Sequence, residues 1–390
     1  MRIYFDFNAT APVLPEAAEA VSRVLTSTFG NPSSVHTFGQ QAKAELDRAR
    51  QAVAALIDAD PVEVVFTAGG TEADNLAVRG VLLTLEAVGR RHIITTGIEH
   101  EAVLNTAKAF ERRGWTITYL PVGKSGVVSA DALREAIQPD TALVSVMHAN
   151  NEIGTIQPIA ELAAIARNHR VLFHTDAVQS AGKIPVSVKN LGVDLLSLAG
   201  HKFGGPKGTG ALWIRRGVRL TPYLTGGKQE RNRRAGTENV PALAGFGVAA
   251  AVAKAKVDSG LDEMARLRDR LERTILDTVP GTEVNGDPSR RVPNTTNISF
   301  DGTEAESLLI ALDLEGVAVS TGSACSSGSL EPSHVLRAMG ASDARGRNSL
   351  RFSLGPTSTE AEVDFVAAAL PRLVQRLRSL GRPSLVRRPS

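Results

Sequence analysis

Apolar, largely β-branched runs recur through the first half of the chain, each bounded by polar or glycine-rich residues and separated by stretches with helical spacing. The clearest are HIITTG (92–97), WTITYL (115–120), ALVSVMHA (142–149) and VLFHTD (171–176). Strands alternating with helices predict an α/β architecture, a mostly parallel sheet covered by helices. Ligands of such sheets collect beyond the carboxyl ends of the strands, so the polar residues that follow each run carry the chemical interest.

Beyond Val240 the pattern changes. An Ala-rich segment predicts a long helix, broken near Asp258 to Gly260 and resumed in DEMARLRDRLERTILDTV (262–279). The remainder mixes strands (TTNISF, VAVST, SLRFSL) with helices (EAESLLIALD, TEAEVDFVAAALPRLVQRL), which predicts a smaller α+β domain. The division expected is a large domain over 15–258, a small one from 1–14 and 259–380, and a mobile tail over 381–390.

Composition narrows the classes. A chain of 390 residues exceeds one ordinary core, and a 43% hydrophobic fraction with mixed charge is that of a folded enzyme rather than a disordered segment. The net charge of +3 is spread along the chain instead of forming a basic stripe, which argues against direct nucleic-acid binding. One cysteine forms neither an internal disulfide nor a zinc staple, and MRIYFDFNATAP does not read as a secretion signal. No apolar run reaches the ~18 residues of a membrane span. A cytoplasmic protein without membrane attachment is expected.

Candidate chemistry follows the strands. In SLAGHKFGGPKGTG (197–210) an apolar run ends in His201 and Lys202 and passes into glycines. A lysine placed there can be desolvated and attack an aldehyde to form a Schiff base, although a lysine in a surface loop fits the same residues. HTDAVQS (174–180) sets Asp176 at the end of VLFHTD, where an acid can pair with a protonated pyridine nitrogen or simply cap the next helix. Gln179 stands three residues on, within reach of a ring hydroxyl.

GGTEADN (69–75) leads from the run VVF into a helix, so that Gly69 and Gly70 permit close backbone approach, Thr71 offers a hydroxyl and the helix start suits a phosphate. His100, after HIITTG, can stack on a flat ring or exchange protons near neutral pH. Asn151, after ALVSVM, can turn an amide to the same cleft. Each of these has an ordinary alternative as a loop or turn residue. Their shared position after successive strands does not.

With FGNPSSVH (29–36), RAGTEN (234–239), GSACSSGSLEPSHVL (322–336) and RFSLG (351–355), these segments closely resemble the cysteine desulfurases of the class V aminotransferase group. The likeness runs in order from about Phe5 to Gly355 and implies the fold-type I architecture of pyridoxal 5'-phosphate enzymes. It implies that Lys202 bonds the cofactor, Asp176 pairs with its ring nitrogen, Gln179 contacts its hydroxyl and His100 stacks on it. Gly70, Thr71 and His201 would hold the phosphate, which Thr237 of a neighbouring subunit would also reach, so a homodimer is implied. Asn151 and Arg351 would hold the carboxylate of L-cysteine.

One departure stands out: Ala199 occupies a position where the family pattern has a serine, so a phosphate hydroxyl is expected to be missing. The tail also differs from the longer one that docks on iron–sulfur scaffolds. Cys325 lies in TGSACSSGS, small residues that would let a thiol swing between cofactor and acceptor, whereas a lone cysteine elsewhere is commonly a buried apolar residue. The resemblance makes Cys325 the residue that takes sulfur as a persulfide, for delivery to a protein acceptor such as an iron–sulfur scaffold or a thiolation carrier. A selenocysteine lyase or transaminase of the same fold would share Lys202 and Asp176. An idle sulfur carrier would have only the thiol.

Overall fold

The computed structural model describes residues 2–321 and 332–380; Cys325 and the tail over 381–390 lie outside the described residues. The chain starts with a short strand, β1 (Ile3–Tyr4), and then builds a seven-stranded sheet. Its strands are β2 (Val64–Thr67), β3 (His92–Thr96), β4 (Thr116–Leu120), β5 (Thr141–Ser145), β6 (Leu172–Asp176), β7 (Leu195–Ala199) and β8 (Gly210–Ile214). Their order across the sheet is β2-β8-β7-β6-β5-β3-β4, and β8 alone runs against its neighbours. Because helices cover both faces, β2, β3, β5 and β7 are buried at every position and read as continuous apolar runs rather than alternating ones.

Two sheets follow from the later sequence. β9 (Thr282–Val284), β10 (Thr295–Phe300) and β12 (Ser349–Ser353) form an antiparallel sheet, while β11 (Val317–Ala318) pairs in parallel with β1. Ile3 and Phe5 therefore pack in a separate core with Leu271, Ile298, Phe300, Phe352 and Leu370, apart from the one around β5 to β7. Val335, Leu336 and Met339, although late in the sequence, pack in the large core.

Two expectations are corrected. The run ALVSVMHA is a strand only to Ser145, because Val146 and His148 still donate to β6 carbonyls but the regular ladder has ended. Helix Val240–Ser259 is long and apolar enough to cross a membrane by length and composition, contrary to the expectation that no stretch is, and half of that window is buried. It is apolar all round because helices Pro15–Ser27 and Thr37–Leu56 pack on it. At Gly247 a Cβ would lie 2.6 Å from the Ala49 Cα, so only glycine permits that approach.

Candidate active site

The carboxyl ends of β2, β5, β6 and β7 open on a cavity of about 370 Å³. It is lined by Gly70, Thr71, His100, Asn151, Asp176, Gln179, Ala199, His201, Lys202 and Arg351, which brings nearly all the residues singled out in the sequence into one place. Thr237 is exposed and is not among the lining residues of its own chain's cavity. Cys325 lies outside the described residues.

Lys202 ends the short turn Gly200–Lys202 that follows β7, and its Nζ donates to the carbonyl oxygens of Asn8 (2.7 Å) and Ala9 (2.9 Å). Asp176 closes β6 with 5% of its surface exposed, and its Oδ1 accepts from the Val178 N–H at 2.8 Å. It thus caps the following turn as well as lining the cavity. Burial pushes its pKa up, against the opposing pull of His100 and Lys202. A cation set against it would relieve that penalty.

His100 caps helix Glu101–Glu111: its Nδ1 accepts from the Ala102 N–H at 3.1 Å. A ring nitrogen that accepts carries no proton, so the neutral imidazole has its hydrogen on Nε2. Burial and the neighbouring lysines Lys202, Lys207 and Lys183 hold His201 down at about 4, so that it is neutral at physiological pH. Its Nδ1 meets the Thr10 hydroxyl at 3.1 Å.

Gly70 begins helix Gly70–Glu86, whose first amides have no intrahelical acceptor. A Cβ on Gly70 would stand 2.9 Å from Val178 Cγ2 and 3.4 Å from Ala199 Cβ, so the cavity wall needs glycine there. Arg351, in β12, is buried at 2% exposure; its Nη2 pairs with Asp6 Oδ1 at 2.7 Å and its Nη1 donates to the Asn151 carbonyl oxygen at 2.9 Å. Among the described residues its Nε has no partner.

These groups suit a phosphorylated pyridine aldehyde. An amine stands at the cavity for the aldehyde, a helix start beside Thr71 and His201 for the phosphate, and a buried carboxylate for the ring nitrogen. Arg351 adds a planar fork for a carboxylate.

The N-terminal segment was not anticipated in the site. Asn8, 1% exposed, accepts on its backbone oxygen from both Lys202 and Gln179, and its side chain reaches Lys183, Asn294, Thr295 and the Asn151 carbonyl. The signal available was FDFN, in which Phe5 and Phe7 alternate with Asp6 and Asn8. The chain leaves its extended course there and turns over 7–9, with the Ala9 and Thr10 N–H groups donating to the Asp6 carbonyl oxygen, so strand alternation alone does not account for where Asn8 lies.

Comparison with known proteins agrees with this geometry. The family model for aminotransferase class V matches residues 3–366. A cysteine desulfurase of Trichormus azollae is 50% identical over 97% of this chain and 94% of its own length. The solved structure of a NifS-like protein superposes with a TM-score of 0.91 at 37% identity, covering 97% of this chain and all of that one. SspA in complex with cysteine gives 0.81 at 36% identity, over 92% of this chain and all of that one. The chain therefore belongs to the class V aminotransferase family, among its cysteine desulfurases.

Proposed function

We propose that this chain converts L-cysteine to L-alanine with pyridoxal 5'-phosphate held on Lys202, leaving the sulfur as a persulfide on Cys325. The observation that carries the reading is the gathering of Lys202, Asp176, His100 and Arg351 around one cavity at the sheet's carboxyl edge. When bound, the cofactor supplies an electron sink for bonds at the substrate's α-carbon.

The chain's residues do the rest. Asp176 keeps a cationic ring nitrogen charged, Arg351 orients the substrate carboxylate with Asn151, and Gly70, Thr71 and His201 hold the phosphate. Lys202, released by the substrate amine, is the base placed to move the α-proton. His100 enters with its proton on Nε2, so it acts first as a donor. Cys325 as thiolate attacks the substrate sulfur: one S–S bond forms, the C–S bond breaks, and protons complete alanine. A free thiol has a pKa of about 8.5, so the substrate or Lys202 must take that proton at neutral pH.

Thr237 on an exposed segment supports a homodimer in which it completes the other subunit's phosphate site. The persulfide would pass to a protein acceptor, an iron–sulfur scaffold or a thiolation carrier, in a cytoplasm reducing enough to keep a lone thiol free. The test is a single turnover with L-cysteine and no keto acid. Wild type should release alanine and gain one sulfur atom on Cys325 by mass, whereas C325S should keep the cofactor's yellow colour and release almost no alanine. Near wild-type alanine from C325S would overturn the assignment of the acceptor. A borohydride-fixed cofactor in K202A would overturn that of the lysine.

A further inference from the structure

Lys183 is a buried lysine for which the proposed reaction has no use. It is 7% exposed, and its Nζ donates to Gln179 Oε1 at 2.6 Å and to Asn8 Oδ1 at 2.7 Å. Gln179 in turn donates through Nε2 to the Asn8 carbonyl oxygen at 2.9 Å, the same oxygen that accepts from Lys202. Burial, with Lys202 and Arg351 nearby, holds the Lys183 amine well below its ordinary pKa, yet charged or neutral it keeps N–H groups to donate.

These contacts fix which end of the Gln179 amide is which. With the amide reversed, Oε1 would face the Asn8 carbonyl oxygen, a repulsive pair in a buried site, and the N–H groups of Lys183 would lose their acceptor on Gln179. In the observed sense Oε1 is spent on Lys183, while Nε2 has a second N–H beyond the one given to Asn8. Gln179 lines the cavity, so what it has left to offer there is a donor.

We propose that Lys183 is a positioning residue: by holding Oε1 of Gln179 it makes that amide present an N–H, not an oxygen, to the cofactor's ring hydroxyl. This rests on the reading of the site as one for pyridoxal 5'-phosphate. A donor on the ring oxygen weakens that oxygen's hold on a proton shared with the Lys202 nitrogen. Loss of the donor therefore raises the pH at which the visible absorbance of the loaded enzyme titrates.

The experiment compares wild type, K183M, Q179M and the double variant, all reconstituted with pyridoxal 5'-phosphate. Two quantities are read: the cofactor's Kd for the apoprotein and the pH midpoint of the visible band. K183M should raise the midpoint by on the order of one unit and weaken the cofactor about tenfold. The double variant should match Q179M alone, because once the amide is gone Lys183 has nothing to orient. K183Q, which keeps an N–H donor without the charge, should show less than half the K183M midpoint shift, and it serves if K183M does not fold. An unmoved midpoint in K183M, or additive shifts in the double variant, would overturn the proposal while leaving the cofactor reading intact. A wild-type protein that gains no visible band with the cofactor would overturn both.

Discussion

Arg50 and Arg351 are both buried and both meet a carboxylate, and the difference between them separates structure from chemistry. Arg50 and Glu230 are both 6% exposed and joined by two contacts of 2.7 Å; Arg50 also donates to the Val64 carbonyl, and Glu230 accepts from the Phe66 N–H. Glu230 is delivered by three successive left-handed residues, Glu230, Arg231 and Asn232, at φ of 46°, 57° and 62°. The conformation costs roughly 1–2 kcal/mol at Glu230 and at Arg231, and less at Asn232, a type that adopts it readily. Arg351 holds Asp6 by one nitrogen, the Asp6 side chain is 18% exposed, and the arginine lines the cavity. The first pair is closed, with both carboxylate oxygens engaged; the second, on the proposed function, exchanges its partner for an incoming carboxylate.

Breaking the closed pair should give the largest effect. E230Q leaves Arg50 buried without a counter-charge and should lower stability by about 3–5 kcal/mol, seen as a lower urea midpoint. A midpoint within error of wild type would mean that the left-handed turn, not the pair, holds the segment. R351A should be felt chiefly in turnover: kcat/KM for L-cysteine should fall on the order of 10²-fold, about 3 kcal/mol, while the cofactor stays bound. If R351A instead released the cofactor and R50A spared it, the roles assigned to the two arginines would be reversed.

The comparison also shows what sequence can carry. Lys202, Asp176, His100 and Gly70 were legible because each stands within a few residues of a strand's carboxyl end, and strand ends can be read from local apolar runs. The parallel sheet was legible for the same reason. Asp6, Asn8 and Lys183 were not, since they act across 345, 194 and 175 residues of sequence on Arg351, Lys202 and Asn8. No local pattern encodes such meetings. The lock at Glu230 was hidden for another reason: GGKQERNR has glycines ahead of the turn, yet two of the three left-handed residues are Glu and Arg, types that ordinarily avoid that conformation. Helix Val240–Ser259 was legible as a helix but not as one apolar on all sides, because its covering helices come from residues 15–56.

Glu99 extends the comparison to a buried carboxylate that has no arginine. It is fully buried, accepts on Oε1 from the Thr96 hydroxyl at 2.7 Å and the Met147 N–H at 3.0 Å, and its Oε2 has no partner among the described residues. Burial raises its pKa to about 8. The sign follows from linkage: the folded state keeps the proton to about pH 8, whereas the unfolded chain loses it near 4.5, so this stabilising term is fully present below 4.5 and is lost as pH rises to about 8. E99Q, which copies the neutral acid, should escape that loss. Its stability advantage over wild type should grow as pH rises across this window, measured by urea denaturation at a series of pH values. A gap that does not change with pH would place Glu99 in its ionised form, balanced by a charge the geometry does not reveal.

The exchangeable pair yields the smallest effect and the one whose sign is most informative. If a substrate carboxylate must displace Asp6 from Arg351, then Asp6 competes at rest, and removing its charge should help binding. D6N keeps the size of the side chain and an acceptor oxygen but gives up the ion pair. Alanine, the expected product, carries the same carboxylate without the sulfur and so reports that contact alone. Its inhibition constant should fall about fivefold in D6N, roughly 1 kcal/mol, with the cofactor's absorbance unchanged. The opposite sign would follow if Asp6 stayed on Nη2 and aimed the guanidinium while the substrate used the unpartnered Nε. Weaker alanine binding in D6N would thus make Asp6 a support for Arg351, and the contrast with the closed Arg50–Glu230 pair would become one of degree.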